Sequence, residues 1–294
     1  MLSSKRSSLV SRLPDFIVIG ATKAGTTSLD FYLSLHPEIH VARPKEPRFF
    51  VDMAEPTGRW GRGVDWYQEL FRTTKRMCGE ASPVYTHYPA LSDVPERMAR
   101  LVPGAKLIYV VREPMERLKS HHLMLCRQRR ESSDLDAVLA AKSEPRCLLA
   151  SCYGSQLEKF LEWFPLEQIY VLESEDLSRN RMAALRCVFE FLGVDPGFTS
   201  PLFRHRRNVT GHQRIPSATG RKLLDSRGMR LAQDLLPDPL FYHLKNLLLR
   251  PFAGKQPSME LSEKVQDEIH RLFRTEMSLL RRLCGQSLPS LGFE

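Results

Sequence analysis

The sequence lacks a long hydrophobic run and the apolar segment of a secretory signal. No stretch is long and apolar enough to span a bilayer. Residues 1–14 are rich in serine and arginine but have no apolar core of the kind that signal peptides contain. We therefore expect a soluble, cytoplasmic protein without a membrane span. A short Arg/Ser-rich organellar transit segment is the alternative interpretation of the N-terminus.

The sequence also lacks the cysteine spacing of a disulfide framework or a zinc site. Its six cysteines are scattered, with no CxxC pair and no histidines at ligand-like spacing. Such a distribution is typical of reduced thiols, most of them in the core.

Repeats and low-complexity segments are absent, and the bulk composition is that of a globular protein. Of the 294 residues, 42% are hydrophobic and 26% are charged, and the formal net charge is +9. A basic protein favours anionic partners such as a nucleotide, a sulfated or phosphorylated ligand, a nucleic acid or a membrane surface. A basic surface that serves only solubility is the alternative.

A lysine is missing from the position where a nucleotide-binding P-loop requires it. Phe16–Ile19 predicts a buried strand, and Gly20 to Gly25 form a loop that leads into Thr26-Thr27-Ser28 at the start of a helix. The motif GxxxxGK[ST] places lysine directly after the second glycine, but Thr26 stands there and Lys23 lies inside the loop. The pattern predicts an anion site at a helix N-terminus. An ordinary strand-to-helix turn with a solvated lysine is the alternative.

Buried strands alternate with helices along the first two thirds of the chain. Residues 106–111 and 169–172 read as further buried strands, and an amphipathic helix is predicted at about 260–283. This order predicts a single α/β domain with a central, mainly parallel β-sheet flanked by helices, a P-loop-like loop and a helical C-terminal cover. The predicted organisation is a flexible basic tail (1–13), the domain (14–285) and a C-terminal tail (286–294).

A second anion site is predicted at the end of the 106–111 strand. Arg112 follows that strand directly, and Ser120 lies in the next helix. A guanidinium and a hydroxyl together can hold a phosphate. The basic segment 204–222, which contains Arg221 and Lys222, can add cations from a loop. The alternatives are an ion pair of Arg112 with Glu113 or Glu116, and a solvated loop. Two anion sites at one sheet edge favour a ligand with phosphates at both ends.

Five segments resemble the PAPS-dependent sulfotransferases, most closely the branch of the bacterial and heparan-sulfate-type enzymes. The segments are FIVIGATKAGTTSL, KEPRFF, GEASPVY, VVREPMERLKSHH and GSQLEKFLEWFPLEQIYVLESEDL. They occur in the order and spacing of the family, and the resemblance covers roughly residues 14–285. It implies sulfuryl transfer from PAPS (3′-phosphoadenosine 5′-phosphosulfate) to an acceptor hydroxyl, with PAP as product and no metal.

The resemblance also implies roles for individual residues. The 5′-phosphosulfate is bound by a loop set, Lys23, Ala24, Gly25, Thr26 and Thr27. Arg112 and Ser120 bind the 3′-phosphate, and Arg221 and Lys222 close over it. Lys23 also stabilises the departing PAP.

Glu46 falls where the heparan-type enzymes place the general base that deprotonates the acceptor hydroxyl. Some of those enzymes carry a lysine where this chain has Ala81, and Lys45 can compensate for that loss. A carboxylate that merely pairs with Lys45 or Arg48 is the alternative for Glu46, and His40 and His87 are reserve candidates for the base.

Two rival functions remain open from the residues. A phosphotransferase or NTPase could use the same loop, although no lysine follows Gly25 and no aspartate for Mg²⁺ is evident at a strand end. A non-catalytic binder of nucleic acid or another anionic polymer would use the basic surface, but no nucleic-acid motif is present. The acceptor could be a sugar, a lipid or a natural-product alcohol, and the oligomeric state is not predicted.

Overall fold

The computed structural model describes residues 11–55, 57–128, 134–141, 146–204 and 257–293, together with isolated positions between 217 and 251. The chain divides into two compact units. The first comprises Met1–Leu118, Glu144–Asn208 and Asp267–Glu294, and the second comprises Lys119–Ser143 and Val209–Gln266.

Within the described residues, the first unit is built on one sheet of five strands. The strands are β1 (Phe16–Gly20), β2 (Ile39–Val41), β3 (Met77–Ala81), β4 (Lys106–Val111) and β5 (Ile169–Glu173), in the order β2-β3-β1-β4-β5. Every neighbouring pair is parallel. The predicted α/β fold with a mainly parallel sheet is confirmed, and the segment after the first helix supplies an edge strand.

Burial explains why the strands read as continuous apolar runs. All five residues of β1 are buried, as are Leu107 to Val111 of β4. Strands of a parallel sheet that is covered by helices on both faces are buried on both faces, so apolar residues predominate in them. The sequence therefore shows no alternation in these strands.

Ten helices are described. They are α1 (Thr26–Leu35), α2 (Gly63–Glu69), α3 (Val94–Leu101), α4 (Pro114–Arg127), α5 (Leu135–Ala140), α6 (Arg146–Leu149), α7 (Tyr153–Leu161), α8 (Ser174–Arg179), α9 (Arg181–Leu192) and α10 (Glu263–Cys284). Helix α9 ends at Gly193 with φ 79°, the left-handed conformation that its glycine predicts.

Helix α10 matches the predicted C-terminal amphipathic helix. Its Phe273, Met277 and Leu280 are buried. Glu276 accepts hydrogen bonds from the backbone N–H of Ser155 at 2.8 Å and from its hydroxyl at 2.6 Å. These contacts join the last helix to α7.

Residues 286–293, which were predicted to form a tail, belong to the first unit and are packed within it. Leu288 and Leu291 are buried, and a short 3₁₀ helix spans Pro289–Leu291. The N–H of Ser290 donates to the Glu173 carboxylate at 2.8 Å. Residues 1–10 and most of the two helices predicted near 229–236 and 240–249 lie outside the described residues.

All six cysteines are free thiols, and five of them are buried, as predicted. None of the described helices combines the length and the apolar composition needed to cross a bilayer. Within the same residues, no group of three or more His, Cys, Asp and Glu side chains is arranged to hold a metal ion.

Candidate active site

The carboxyl ends of three neighbouring strands bring the predicted loops to one edge of the sheet. Beyond β1, the N–H of Ala21 donates to Val110 O at 2.6 Å, and beyond β3 the N–H of Ser82 donates to Val18 O at 3.1 Å. The loop that contains Lys23 and the segment that begins at Arg112 therefore follow adjacent strands. This edge is where open α/β sheets bind their ligands.

The loop after β1 presents the start of α1 to this edge. Gly25 has φ 99°, and Lys23 has φ 71°, a left-handed conformation that is uncommon for a residue with a side chain. Helix α1 begins at Thr26, whose side chain is buried, while Lys23 and Thr27 are half-buried. The first amides of a helix have no intrahelical acceptor, so they can bind an anion there.

Arg117 of α4 is hydrogen-bonded to the backbone of this loop. Its guanidinium is fully buried and donates through Nη1 to Thr22 O at 3.1 Å. Nε donates to Ser151 Oγ at 2.6 Å, and Nη2 donates to Cys147 O. No role was predicted for Arg117 from the sequence. The available signal was its place inside the Arg112–Ser120 motif, but an arginine in a helix is exposed by default.

The backbone of Arg112 is fixed by Tyr153 of α7. The Tyr153 hydroxyl donates to Arg112 O at 2.8 Å and accepts from Arg112 N at 3.3 Å. The Arg112 side chain pairs with Glu116 at 3.3 Å, so the ion pair considered as the alternative is present. Because Glu116 is largely exposed, this pair is weak, and a phosphate can replace the carboxylate.

The other residues predicted for the 3′-phosphate have less structural description. Ser120 is buried in α4 and belongs to the second unit. Arg221 and Lys222 lie outside the described residues. Their roles stay predictions.

Glu46 is held between two cations. Its Oε1 accepts from Lys45 Nζ at 2.8 Å, and its Oε2 accepts from Arg48 Nη2 at 2.6 Å. Burial raises the pKa of Glu46, but the charges and hydrogen bonds of Lys45 and Arg48 outweigh it, so the pKa lies below its ordinary value. The pairing considered as the alternative is therefore present. The assignment of Glu46 as the base stays a prediction.

The two reserve histidines occupy different surroundings. His87 Nε2 lies 3.0 Å from Thr22 Oγ1, beside the Lys23 loop, whereas His40 Nε2 lies 3.0 Å from Leu70 O. Burial and the positive charges of Arg117, Arg146 and Arg48 lower the pKa of His87 to about 3. The His87 ring is therefore neutral at physiological pH. Arg117 places a buried positive charge at the same loop, because its guanidinium donates to Thr22 O.

Ala81 and Glu80 end β3 at the same edge. Ala81, which stands where some family members have lysine, is buried. Glu80 is also buried and accepts hydrogen bonds from the hydroxyls of Tyr67, Ser82 and Tyr85. Burial raises the pKa of Glu80 to about 7, although these hydroxyls lower it. No role was predicted for Glu80 from the sequence, although it is the one carboxylate in an otherwise uncharged strand.

Comparison with known proteins identifies the family of this chain. The family described as "Sulfotransferase domain" matches residues 13–207. The human bifunctional heparan sulfate N-deacetylase/N-sulfotransferase 2 is 29% identical over 205 residues, which cover 63% of this chain and 22% of that protein. The human heparan sulfate glucosamine 3-O-sulfotransferase 5 is 30% identical over 200 residues, which cover 64% of this chain and 56% of that protein. The chain thus spans about a fifth and about half of their lengths, respectively.

A solved structure shows the same fold over nearly the whole chain. The sulfotransferase from Alicyclobacillus acidocaldarius superposes with a TM-score of 0.64 at 25% identity, covering 96% of this chain and 99% of that one. The family match spans more than half of this sequence. The resemblance drawn from the motifs is confirmed: the chain belongs to the sulfotransferase-domain family.

Proposed function

We propose that this protein transfers the sulfuryl group of PAPS, the donor that this family uses, to a hydroxyl of a carbohydrate acceptor. The main support for this proposal is the placement of two cationic residues at the sheet edge. In a chain that belongs to the sulfotransferase family, cations follow the ends of the adjacent parallel strands β1 and β4, Lys23 on one side and Arg112 on the other. A donor with a phosphosulfate at one end and a phosphate at the other needs cations at two such places.

The residues at the β1 end fit a phosphosulfate. The amides and hydroxyls of Thr26 and Thr27 supply neutral donors at the positive end of α1, and Lys23 supplies a charge. Arg117 fixes the carbonyl that precedes Lys23. At the β4 end, Arg112 is ready to exchange its exposed partner Glu116 for a phosphate, and Ser120 is the proposed hydroxyl donor.

PAPS supplies an electrophilic sulfur. The acceptor oxygen forms a new bond to this sulfur as the bond between the sulfur and the phosphate oxygen breaks, and PAP leaves. Lys23 neutralises the negative charge that develops on that phosphate oxygen. Glu46 takes the acceptor proton. Its carboxylate oxygens have about four lone-pair sites, so a further hydrogen bond fits beside those from Lys45 and Arg48. The two cations hold the carboxylate ionised and oriented for this task.

The proposed acceptor class comes from the relatives. Their names describe sulfation of heparan sulfate, by N-sulfation in one case and by 3-O-sulfation of glucosamine in the other. The formal charge of +9 suits a polyanionic saccharide, because it attracts such an acceptor over a distance. We favour the hydroxyl, since an alcohol must lose its proton to become a good nucleophile and Glu46 offers a base for that step.

The test is transfer of radioactive sulfate from [³⁵S]PAPS to a defined panel. The panel contains heparan sulfate, N-deacetylated heparan sulfate with free amino groups, a simple alcohol and a phenol. The variants are Lys23→Ala and Glu46→Gln. Glu69→Gln is the matched control, because it makes the same change in an exposed ion pair, Glu69–Arg72. PAP affinity is measured by calorimetry for each protein.

The variants, together with assays of ATP turnover and nucleic-acid binding, distinguish the proposed function from its alternatives. We expect Lys23→Ala to lose both transfer and PAP affinity, and Glu46→Gln to keep PAP affinity but lose turnover; Glu69→Gln should behave as the unmodified protein. Normal turnover in Glu46→Gln would move the base elsewhere. Magnesium-dependent ATP turnover would favour the phosphotransferase, and salt-sensitive nucleic-acid binding without transfer would favour the non-catalytic binder.

A further inference from the structure

A buried carboxylate lies beneath the segment that carries the proposed base. Glu80 is completely inaccessible to solvent, and its Oε1 accepts from Tyr67 Oη at 2.8 Å and from Tyr85 Oη at 2.7 Å. Its Oε2 accepts from Ser82 Oγ at 2.5 Å. A buried carboxylate is costly unless hydrogen bonds compensate it, and here three hydroxyls do so.

Ser82 connects this carboxylate to the backbone of Arg48. The Ser82 hydroxyl donates its single proton to Glu80, so its oxygen is free to accept, and it accepts from the N–H of Arg48 at 3.0 Å. The result is a directed chain from the Arg48 amide through the serine to the carboxylate. Hydrogen bonds in such a chain polarise one another, so the bond between Ser82 and Glu80 strengthens the bond that Ser82 accepts from Arg48.

The amide at the end of this chain belongs to a backbone that needs support. Glu46 has φ 58° and Arg48 has φ 52°, both in the left-handed region. For a residue other than glycine, this conformation costs about 1–2 kcal/mol of conformational free energy. Strained residues persist where the surrounding structure determines them, and they cluster at functional sites. The bond from Ser82 is one such determinant, and it acts directly on Arg48.

The conformation of Arg48 in turn decides what Glu46 contacts. Arg48 Nη2 donates to Glu46 Oε2 at 2.6 Å, and Nη1 donates to Thr57 Oγ1 at 2.6 Å. If the Arg48 backbone left the left-handed region, its side chain would start in a different direction. The Glu46 carboxylate would then lose one of its two cations.

We propose that Ser82, anchored by Glu80, is a positioning residue for Glu46, acting through the backbone and guanidinium of Arg48. The inference rests on the proposed function only in its kinetic part. The positional part can be measured without any acceptor, so the two can fail separately.

The positional test is a carbon NMR titration of the Glu46 carboxyl in protein labelled at the glutamate carboxyl carbons, with Glu46→Gln used to assign the signal. The charged groups around Glu46 are Lys45 and Arg48 of its own segment, Asp30 of α1 and Glu80 of β3. In Ser82→Ala we expect Glu46 to titrate at higher pH, because the Arg48 contact weakens. An unchanged titration in folded Ser82→Ala would overturn the inference.

Tyr67→Phe is the matched control. It removes one hydroxyl from the same buried carboxylate, but Tyr67 makes its hydrogen bond to Oε1, away from the Ser82 oxygen. We expect Glu46 in Tyr67→Phe to titrate as in the unmodified protein. If Tyr67→Phe and Ser82→Ala shift the titration equally, the effect is a general loosening of the core, and the inference is wrong.

The kinetic test uses single turnovers of [³⁵S]PAPS with heparan sulfate. We expect Ser82→Ala to lower the transfer rate by about tenfold or more, because small displacements of a reacting group are costly, while PAP affinity stays within about twofold. In the Glu46→Gln background, Ser82→Ala should have no further effect, as for two residues that act as a unit. An equal loss in both backgrounds would contradict action through Glu46. Should Ser82→Ala not fold, Ser82→Gly, which also removes the hydroxyl that accepts from Arg48, replaces it in the same experiments.

Discussion

The buried guanidinium of Arg117 donates a hydrogen bond to the carbonyl oxygen of Thr22 at 3.1 Å. This contact joins α4, which follows β4, to the loop that follows β1. The two predicted anion sites are therefore connected by a side chain that need not touch the donor. The connection suggests that the Lys23 loop depends on Arg117 for its shape.

Replacing Arg117 by lysine tests this dependence. A lysine keeps the charge but cannot reproduce the three directions in which Arg117 donates, to Thr22 O, Ser151 Oγ and Cys147 O. Each buried acceptor left without a partner costs about 1–3 kcal/mol. We expect Arg117→Lys to lower the unfolding free energy and to weaken PAP binding by about tenfold, corresponding to about 1.4 kcal/mol.

Denaturant unfolding and PAP calorimetry measure these two effects separately. Lys159→Arg, the reverse exchange in an exposed ion pair with Glu162, is the control. Unchanged PAP affinity in folded Arg117→Lys would show that the loop keeps its shape without the guanidinium.

The backbone of Lys23 makes a second prediction possible. Its φ of 71° is strained for lysine and unstrained for glycine. Lys23→Gly and Lys23→Ala both remove the ammonium group, so both should abolish transfer. Lys23→Gly should nevertheless be more stable than Lys23→Ala by about 1 kcal/mol. Thermal unfolding compares the two variants, and equal stability would mean that the strain is absent in solution.

How far the sequence predicts this molecule depends on the kind of residue. Continuous apolar runs identified β1, β4 and β5, because a sheet covered on both faces demands them. The positions of the Lys23 loop and of Arg112 at the sheet edge could be predicted, because glycines mark the loop after β1 and Arg112 directly follows an apolar strand.

Buried charges could not be placed in the same way. Glu80 and Arg117 are charged residues whose burial depends on hydroxyls and carbonyls far away in the sequence, such as Tyr67 for Glu80 and Cys147 for Arg117. The left-handed backbone conformation of Glu46 and Arg48 could not be predicted from the sequence either, since neither residue type favours it. Tertiary contacts alone determine these features.

The pH dependence of the transfer reaction identifies the base. If Glu46 is the base, the acid limb of kcat/KM should lie below pH 4.5, because Lys45 and Arg48 lower the pKa of Glu46 below its ordinary value of 4.5. Arg48→Met removes one of the two cations and should move that limb to higher pH. A limb near pH 7 in the unmodified protein would instead indicate Glu80, whose pKa is raised to about 7.

Glu80 also makes the stability of the protein depend on pH. Its pKa is raised from 4.5 to about 7 in the folded protein, chiefly by burial. Between these values the folded state keeps a proton that the unfolded chain releases. The contribution of Glu80 to stability is therefore complete below pH 4.5 and is lost as the pH rises toward 7.

Glu80→Gln removes this titration. We expect the unfolding free energy of the unmodified protein to fall more steeply between pH 5 and 7 than that of Glu80→Gln, by at most about 1.4 kcal/mol per pH unit. Denaturant unfolding at several pH values measures the difference. Parallel curves would show that the three hydroxyls keep Glu80 ionised throughout this range.

Residues 286–293 form the C-terminal end of the first unit. Leu291 is fully buried. The N–H of its neighbour Ser290 donates a hydrogen bond to the Glu173 carboxylate of β5. Leu291→Ala should therefore cost about 2–5 kcal/mol, as for other leucines removed from a core. Leu202→Ala, at an exposed leucine, should change the stability by no more than about 0.5 kcal/mol. Chemical denaturation of both variants decides the matter: if the two substitutions are equally mild, residues 286–294 behave as the tail that the sequence predicted, whereas a large loss for Leu291→Ala alone makes them part of the folded domain.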